Sequence, residues 1–279
     1  MALIVCFMGL SLIFSQIVSA NFYTDIDMAY GTDHTQILEN GQTLKLSLDQ
    51  ISGCRFQSKN EYLFGQINMK IRLVPGNSAG TVTAYYLSSD GSQHDEMDFE
   101  FLGNLSGDPY IVQTNVFSQC QGNREQRIYL WFDPIADFHT YSVLWNPQQI
   151  LFSVDGIAVR VFKNNKDLGV AYPESQAMRI YGSLWDGDSW ATRGGLVKID
   201  WSKAPFVTYF RNLSMDGCLS TFPSAKDCAT KSWWSEELSS TQKKQLTWVH
   251  KKYMVYDYCS DTVKFPNGPP AECTSNASF

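Results

Sequence analysis

The sequence predicts an all-β fold, a curved antiparallel β-sandwich (jelly roll) that carries a disulfide-stapled C-terminal extension with one helix. Short segments in which apolar and polar residues alternate recur between turn signals from about residue 65 to residue 215. Helical periodicity becomes clear only after residue 216, where cysteines also become frequent. The chain has 279 residues, of which 44% are hydrophobic, so it can bury a large core.

The N-terminal segment, residues 1–20, is interpreted as a secretory signal peptide. Residues 2–14 form a largely apolar block, and the small residues Ser19 and Ala20 end the segment as at a signal-peptidase site. We therefore expect cleavage after Ala20 and a secreted protein. A membrane anchor is the alternative, because the segment carries no charge and approaches the length of a bilayer span. The rest of the sequence contains no such segment, so we expect no stable membrane association.

The sandwich is predicted to occupy residues 21–215. In the segment GQINMKIRL, Ile67, Met69 and Ile71 fall on one face of a strand and the polar residues fall on the other. The Asp-Gly pair at residues 155–156 is a strong hairpin signal between two further alternating segments, which predicts an antiparallel pair. The other segments with strand character are TVTAYYL, IVQTNVF, IYLWF, YSVLW and MRIYGSLW.

Residues 216–279 are interpreted as an extension of the sandwich. The segment TQKKQLTWVHKKYMVY has apolar residues near helical spacing, namely Leu246, Val249, Tyr253 and Tyr256. Thr241 is the expected N-cap of this helix. The extension is too small for a core of its own, so we expect it to pack on the sandwich, where it could lengthen a groove.

Six cysteines remain once the signal peptide is removed, and secretion into an oxidising compartment makes disulfides plausible. Six cysteines allow fifteen complete pairings. Two pairs would close short local loops near the C-terminus: Cys218 with Cys228, and Cys259 with Cys273. Cys54 and Cys120 are then left either as buried thiols or as a third bridge. No CxxC pair indicates zinc.

Charge and aromatic content restrict the classes of ligand. The net charge is −6 and the pI is near 5.2, with no run of Lys or Arg, which argues against a nucleic-acid partner. Aromatic residues make up 14% of the sequence, which favours flat surfaces for sugar rings, although most aromatics pack in cores. Sequons at Asn104, Asn212 and Asn276 are compatible with glycosylation of a secreted protein.

The segment HDEMDFEFLGN, residues 94–104, carries an acid at every second position over part of its length. A period-two strand would place Glu96, Asp98 and Glu100 on one face and the apolar residues between them on the other. Like charges about 7 Å apart cost on the order of 2 kcal/mol per ionised pair at an effective dielectric of about 20. A cost of this size requires compensation, which a functional site would supply.

Retaining glycoside hydrolysis uses one ionised carboxylate as nucleophile and one protonated carboxyl as acid, about 5 to 5.5 Å apart across the sugar carbon. Glu96 and Glu100 could fill these roles if their side chains lean together, which favours a curved sheet at the floor of a cleft. Asp98 lies between them and would raise the pKa values of the cluster, so that the acid stays protonated at mildly acidic pH. The alternatives are a calcium site and a solvated polar face.

Other polar and aromatic residues fit a carbohydrate cleft. Gln113 and Asn115 share one face of IVQTNVF, where their amides could bind sugar hydroxyls or could be satisfied on an outer strand. Trp185 and Trp190 flank a loop rich in Gly and Asp, which suits stacking on pyranose rings or packing at a rim. His94 is expected to support the strand end. The four His residues have no metal spacing and the sequence lacks a GxSxG elbow, so we expect neither a metal, nor a cofactor, nor a serine nucleophile.

The HDEMDFEFLGN segment resembles the ExDxE active-site strand of glycoside hydrolase family 16, and in its full length it resembles the plant xyloglucan endotransglucosylase/hydrolases. The similarity extends to the terminal YC...FP...EC pattern and covers nearly the whole chain after the signal peptide. The other segments that carry it are QTNVF, NREQR, WNPQQILFSVDG and SWATRGGLVKIDWSKAPF. Met97 stands where the family usually has Ile, and this core-facing exchange should be tolerated.

The resemblance implies Glu96 as nucleophile, Glu100 as acid/base and Asp98 as their helper. The residues it implies in the substrate cleft are Glu100, Gln113, Thr114, Asn115, Asn123, Arg124, Glu125, Ser189, Trp190, Gly194 and Lys264. Ser189 stands where members often have Asp, and Lys264 stands where they commonly have Arg, which keeps the charge but loses the planar fork. The resemblance also implies the bridges Cys218–Cys228 and Cys259–Cys273 and a glycan at Asn104.

The activity implied is retaining cleavage of the β-1,4-glucan backbone of xyloglucan, followed by transfer of the glycosyl-enzyme intermediate to another xyloglucan chain in the plant cell wall. Hydrolysis, with water as the acceptor, is the alternative, because the same acids serve both reactions and the cleft selects the acceptor. The lack of an obvious insertion around WDGDSWATRGG favours transfer. A noncatalytic carbohydrate-binding sandwich is a third possibility, since fold alone does not give function. We expect a monomer in the apoplast.

Overall fold

The computed structural model describes residues 20–221 and 225–275, and within them the strands form two sheets that pack face to face. The all-β sandwich predicted from the sequence is therefore confirmed. Apart from Ala20, the predicted signal peptide lies outside the described residues, and so does the sequon at Asn276. In the described part of the chain, no helix is long and apolar enough to cross a membrane.

The strands are mostly short and follow each other closely. In chain order they are β1 (Ile26–Tyr30), β2 (Thr35–Leu38), β3 (Thr43–Leu48), β4 (Cys54–Ser58), β5 (Tyr62–Arg72), β6 (Thr81–Ser88), β7 (Glu96–Leu102), β8 (Ile111–Phe117), β9 (Gln126–Tyr129), β10 (His139–Trp145), β11 (Gln149–Val154), β12 (Ile157–Lys163), β13 (Arg179–Asp186), β14 (Phe206–Leu219) and β15 (Met254–Asp257). The helices α1 (Ser240–Tyr253) and α2 (Ala271–Ser275) belong to the extension. Strand β14 continues past residue 216, so the proposed start of the extension falls within a strand.

One sheet has eight strands in the order β1-β4-β13-β6-β7-β8-β9-β15, and the other has seven in the order β12-β11-β10-β5-β14-β3-β2. The paired strands run antiparallel. Strand β7 lies near the middle of the eight-stranded sheet, between β6 and β8. The acidic segment is therefore supported by strands on both sides.

The core lies between the two sheets and includes the apolar face of β7. Met97, Phe99 and Phe101 are fully buried there. Phe99 packs edge to face on Phe152 of the other sheet, with ring centroids 5.2 Å apart, and Phe101 packs in the same way on Tyr141 at 4.6 Å. Alternation along β7 sends its three acids to the side that points away from the core. We call that side of the eight-stranded sheet the cleft face.

The extension adds a helix and an edge strand to the sandwich. Helix α1 buries Leu246 and Val249 and packs against β12. Ser239 caps the helix in a capping box that satisfies the first free backbone N–H groups, so the predicted N-cap at Thr241 is wrong. The chain then enters β15, which pairs with β9. Tyr256 therefore belongs to a strand and not to the predicted helix.

The cysteines fall into two classes. The two predicted local bridges, Cys218–Cys228 and Cys259–Cys273, are both present. Cys54 is a buried free thiol, and burial raises its pKa to about 11. Cys120 is a free thiol exposed in the connection between β8 and β9. A third bridge is thus ruled out in this structure, and the expectation of two buried thiols holds only for Cys54.

Candidate active site

The three acids of β7 open onto one cleft. Glu96, Asp98 and Glu100 line a cavity of about 260 Å³ on the cleft face. The other lining residues come from β1, β4, β6 and β13 and are Tyr30, Arg55, Ala84, Tyr86, Ser183 and Trp185. The acids therefore face accessible space, as attack on an external molecule requires.

Strand register determines the neighbours of each acid. On β8, Gln113 lies opposite Glu100, and Asn115 lies opposite Asp98. On the other side, Ala84 of β6 lies opposite Glu100, and its small side chain leaves room beside that carboxyl. The two amides predicted from alternation along IVQTNVF therefore stand beside two of the acids.

A chain of side-chain hydrogen bonds reaches Glu100 from the edge of the sheet. Gln113 Nε2 donates to Glu100 Oε2 at 2.6 Å, and Arg127 Nε donates to Gln113 Oε1 at 2.6 Å. The Arg127 guanidinium lies over the Tyr256 ring, 5.3 Å from its centroid. Because Tyr256 belongs to β15, the extension helps to hold the side chain predicted to act as acid/base.

The environment of Glu100 shifts its protonation toward neutral pH. Burial raises the pKa of Glu100 to about 7, with the hydrogen bond from Gln113 opposing this shift and the charge of Glu96 adding to it. A carboxyl with this pKa is protonated at mildly acidic pH, yet it can lose its proton near neutrality. This is the behaviour needed of a group that first donates a proton and later accepts one.

The other two acids differ in how strongly they hold a proton. Burial raises the pKa of Asp98 well above its ordinary value, and the charges of Glu100 and Glu96 raise it further. Within the described part of the chain, Asp98 Oδ1 has no hydrogen-bond partner. Burial also raises the pKa of Glu96, but a hydrogen bond with Ser88 and the charge of His94 lower it. Of these two acids, Asp98 is therefore the one whose environment favours the protonated form more strongly.

Thr114 points away from the cleft. It lies between Gln113 and Asn115 on β8, so alternation places its side chain between the two sheets. There its main-chain oxygen and its Oγ1 accept hydrogen bonds from Arg160 Nη1 at 2.6 and 3.0 Å. The structure therefore does not bring the Thr114 side chain together with the acids, and its contact with substrate stays a prediction.

The predicted residues in the connection between β8 and β9 have three different surroundings. Asn123 is exposed and has a positive φ of 66°. Arg124 is 8% exposed, and its Nε donates to Glu272 Oε1 of α2 at 2.8 Å. Glu125 Oε2 accepts a hydrogen bond from Lys264 Nζ at 2.6 Å, so the structure joins these two predicted residues in an ion pair. Of the three, Arg124 has its charged group directed into the protein.

The loop after β13 carries the remaining predicted residues. Trp185 and Trp190 pack beside each other with ring centroids 6.1 Å apart, and Trp185 also lines the cavity of the three acids. Ser189 and Gly194 are exposed in this loop. The structure thus brings the two tryptophans to the cleft side, where flat rings could stack on sugars.

His94 lies at the start of the acidic segment. Its ring packs against Phe117 with centroids 5.6 Å apart, and its main-chain oxygen accepts a hydrogen bond from the Cys120 N–H at 2.8 Å. These contacts connect the start of β7 to the end of β8. Among residues 20–221 and 225–275, no group of three or more His, Cys, Asp or Glu side chains is arranged to hold a metal ion.

A cationic corner of the cleft was not predicted. Arg55 lies over the Tyr30 ring at 5.6 Å and over the Tyr181 ring at 5.3 Å, measured to the ring centroids. Tyr181 in turn stacks on Tyr86 at 4.9 Å. Arg55 and Tyr30 line the same cavity as the acids. Only the alternation of CRFQS hints at Arg55, and nothing in the local sequence shows that β4 joins the sheet of β7.

Comparisons with known proteins agree with this arrangement. Residues 22–203 match "Glycosyl hydrolases family 16", and residues 228–273 match "Xyloglucan endo-transglycosylase (XET) C-terminus". A β-glucanase from Bacillus licheniformis is similar over 68% of this chain and 91% of its own, with a TM-score of 0.55 and 23% identity. The Crh5 transglycosylase is similar over 72% and 83%, with a TM-score of 0.58 and 24% identity. The sandwich and its acidic strand define a glycosyl hydrolase of family 16.

Closer sequence relatives narrow this class. "Xyloglucan endotransglucosylase protein 1" from Diospyros kaki is 56% identical over 93% of this chain and 90% of its own length. "Probable xyloglucan endotransglucosylase/hydrolase protein 23" from Arabidopsis thaliana is 57% identical over 92% of each chain. The chain therefore belongs to the xyloglucan endotransglucosylase/hydrolase family.

Proposed function

We propose that this protein cleaves the β-1,4-glucan backbone of xyloglucan with retention of configuration and joins the cleaved chain to another xyloglucan chain, which remodels the plant cell wall. The observation that carries the proposal is the position of Glu96, Asp98 and Glu100 on one cleft-lining face, with the pKa of Glu100 raised to about 7. The names of the two relatives support the choice of substrate.

In the first step, Glu96 attacks the anomeric carbon while Glu100 gives its proton to the leaving glycosidic oxygen. A covalent glycosyl ester forms on Glu96 and the leaving part of the chain departs. The negative charge of Glu96 disappears in this ester, which removes one of the causes that raise the pKa of Glu100. Glu100 is then more stable as a carboxylate and is ready to act as a base.

In the second step, Glu100 takes the proton from an incoming hydroxyl as the hydroxyl oxygen attacks the same carbon, and the ester bond breaks to release Glu96 as a carboxylate. The acceptor is either the 4-hydroxyl of another glucan chain or water. A chain held in the cleft can compete with bulk water, because a positioned hydroxyl has a large effective molarity. The ratio of transfer to hydrolysis is therefore a property of the residues that bind the acceptor.

We assign direct substrate contact to six of the predicted residues, which lie beside Glu100, in the two loops or in the extension. They are Gln113, Asn123, Ser189, Trp190, Gly194 and Lys264. Asn115 Oδ1 already accepts from the main-chain N–H groups of Val116 and Arg124, so its Nδ2 is the group we assign to substrate. Glu125 contributes through its ion pair with Lys264.

Incubation with xyloglucan and a labelled xyloglucan oligosaccharide tests the proposal. Label that enters the polymer supports transfer, whereas new reducing ends without incorporation indicate hydrolysis. A noncatalytic binding protein would give neither product, and its binding of xyloglucan would survive the Glu96→Gln change. The same variant, checked for normal folding, is the control for catalysis in the transfer assay.

We also infer secretion to the apoplast as a glycosylated monomer. The apolar N-terminal segment supports secretion. Asn104 lies two residues after the end of β7 and lines a cavity of about 710 Å³ with Trp131 and Tyr253 among its walls, which provides room for a glycan. Mass spectrometry of the secreted protein tests this: we expect Asn21 as first residue and a modification at Asn104. Light scattering gives the oligomeric state.

A further inference from the structure

Arg160 lies on the core side of the active-site strands, opposite the cleft face. Arg160 is on β12 of the seven-stranded sheet, 2% exposed, with its side chain between the two sheets. A buried guanidinium is costly unless its N–H groups are satisfied. Its partners therefore indicate what the protein gains from keeping it there.

The partners of Arg160 are parts of β8 and of the connection that follows it. Nη1 donates to the main-chain oxygen of Thr114 at 2.6 Å and to its Oγ1 at 3.0 Å, and Nη2 donates to the main-chain oxygen of Arg124 at 2.6 Å. Thr114 is the residue between Gln113 and Asn115. The guanidinium thus binds β8 from the core side. It does so at the residue between the two amides that lie beside the acids on the cleft side.

The connection held by Arg160 leads back to the same amides. The Arg124 N–H donates to Asn115 Oδ1 at 3.0 Å, which fixes the amide opposite Asp98. Arg124 is itself fixed by its ion pair with Glu272. One guanidinium therefore holds both the strand and the turn that orient Asn115.

The extension supports both arginines. The Arg160 guanidinium lies over the Tyr258 ring at 5.9 Å, and Arg124 pairs with Glu272 at 2.8 Å. Tyr258 and Glu272 directly precede the two bridged residues Cys259 and Cys273. The Cys259–Cys273 bridge thus keeps these two contacts close together. The charge of Arg160 also lowers the pKa of Asp98, so its electrostatic effect extends to the acids.

We propose that Arg160 is a positioning residue for the glycosyl transfer: it holds β8 from the core side so that Gln113 orients Glu100 and the Asn115 amide keeps its place beside Asp98. This inference rests on the proposed function. It also gives Thr114 a role other than substrate contact, because Thr114 supplies two of the three oxygens that Arg160 binds.

Two variants test the role of Arg160. Arg160→Lys keeps the charge but cannot reach the oxygens of Thr114 and Arg124 together, so we expect kcat to fall between about 10-fold and 100-fold, the scale of a 1 Å misplacement. Thr114→Val removes one of the three acceptors with little change in shape, so we expect a smaller fall in kcat. KM for xyloglucan should rise by a smaller factor than kcat falls in both variants, because neither residue lines the cleft and substrate binding changes only through the displaced amides of Gln113 and Asn115.

Arg179→Lys is the matched control. Arg179 also binds two main-chain oxygens, those of Ser58 and Lys59, but it does so away from β8. Its replacement should lower stability without changing kcat per folded molecule. Folded fractions are measured by near-ultraviolet circular dichroism, and Thr114→Val carries the test if Arg160→Lys does not fold.

Three outcomes separate the possibilities. A fall in kcat that exceeds any rise in KM, present in the Arg160 and Thr114 variants and absent in the control, supports the inference. An unchanged kcat in the folded variants, or a raised KM with unchanged kcat in Thr114→Val, overturns it. A wild-type protein that neither transfers nor hydrolyses xyloglucan would instead overturn the proposed function, which the wild-type assay reveals before any variant is compared.

Discussion

The two faces of β7 are held by different means. On the core side, Phe99 is fully buried and in contact with other rings. These rings are those of Tyr85, Phe101, Tyr141 and Phe152. On the cleft side, Glu100 accepts one hydrogen bond from the neutral amide of Gln113, and Asp98 Oδ1 has no partner among the described residues. The core side is closely packed, whereas the polar atoms on the cleft side have only part of their possible hydrogen bonds.

The difference shows that stability and reactivity lie on opposite faces of one strand. Burial of a large apolar side chain contributes about 1.5 to 3 kcal/mol, whereas gathering one buried and two half-buried acids opposes folding. The raised pKa values of Glu96, Asp98 and Glu100 are the sign of that opposition. Changes on the cleft face should therefore alter the reaction and leave the fold intact, and changes on the core face should do the reverse.

Glu96→Gln should have the largest effect and is the strongest test of the cleft face. Its amide is a poor nucleophile, so the transfer rate should fall on the order of 10⁴-fold or more, while the loss of one of three crowded acids should not lower stability. Transfer of labelled acceptor and thermal unfolding are measured on the same sample. A folded variant with a rate near that of the wild type would contradict the nucleophile assignment.

Phe99→Ala tests the core face. Loss of this ring should lower the free energy of unfolding by about 3 to 5 kcal/mol, through lost burial and a cavity between the sheets. Urea unfolding measures this change, and transfer per folded molecule should stay close to the wild-type value. Phe99→Leu is the milder control. A normal stability with a large loss of activity would reverse the assignment of the two faces.

The pH dependence of stability should come from the cleft face. The folded-state pKa of Glu100 is about 7, above its ordinary value of 4.5, so between these values the folded protein keeps a proton that the unfolded chain has lost. The contribution of Glu100 to the free energy of unfolding is therefore fully present below pH 4.5. It declines as the pH rises from 4.5 to about 7, by at most roughly 1.4 kcal/mol per pH unit.

Glu100→Gln should flatten this part of the stability curve, because its amide has no proton to lose. Urea unfolding at a series of pH values measures both curves. In the wild type, transfer should also decline as the pH rises through about 7 and Glu100 loses the proton it must donate. Equal slopes in variant and wild type would show that Glu100 is not the group responsible.

Met97→Ile should have the smallest effect. Met97 is fully buried on the core face, and the exchange nearly conserves volume, so the change in stability should stay below about 1.5 kcal/mol. Transfer should not change. Urea unfolding measures the stability and the labelled-acceptor assay measures the transfer. A clear loss of activity would show that the core face of β7 influences the acids, against the separation of stability and reactivity between the two faces.

Period-two alternation predicted much of this site from the sequence. It separated Glu96, Asp98 and Glu100 from the apolar residues of β7, and it placed Gln113 and Asn115 together. At Thr114 the periodicity and the family resemblance disagreed. The structure follows the periodicity, because a strand residue cannot share a face with both of its neighbours.

Long-range pairing could not be predicted from local patterns. Strands β1 to β4 precede the first segment that was interpreted as a strand, so Tyr30 and Arg55 were missed in the cleft. The local pattern does not distinguish Arg160 from any other polar residue of an alternating strand. Its burial follows only from how the two sheets pack. The end of α1 was missed because β15 is defined by its pairing with β9.

Strand β15 has a consequence for the behaviour of the protein in solution. It covers the outer edge of β9, whose N–H and C=O groups would otherwise be open to pairing with another molecule. A protein truncated before Met254 would expose this edge and be prone to aggregation, even if its sandwich still formed. Strand β15 therefore protects solubility as well as supporting the cleft.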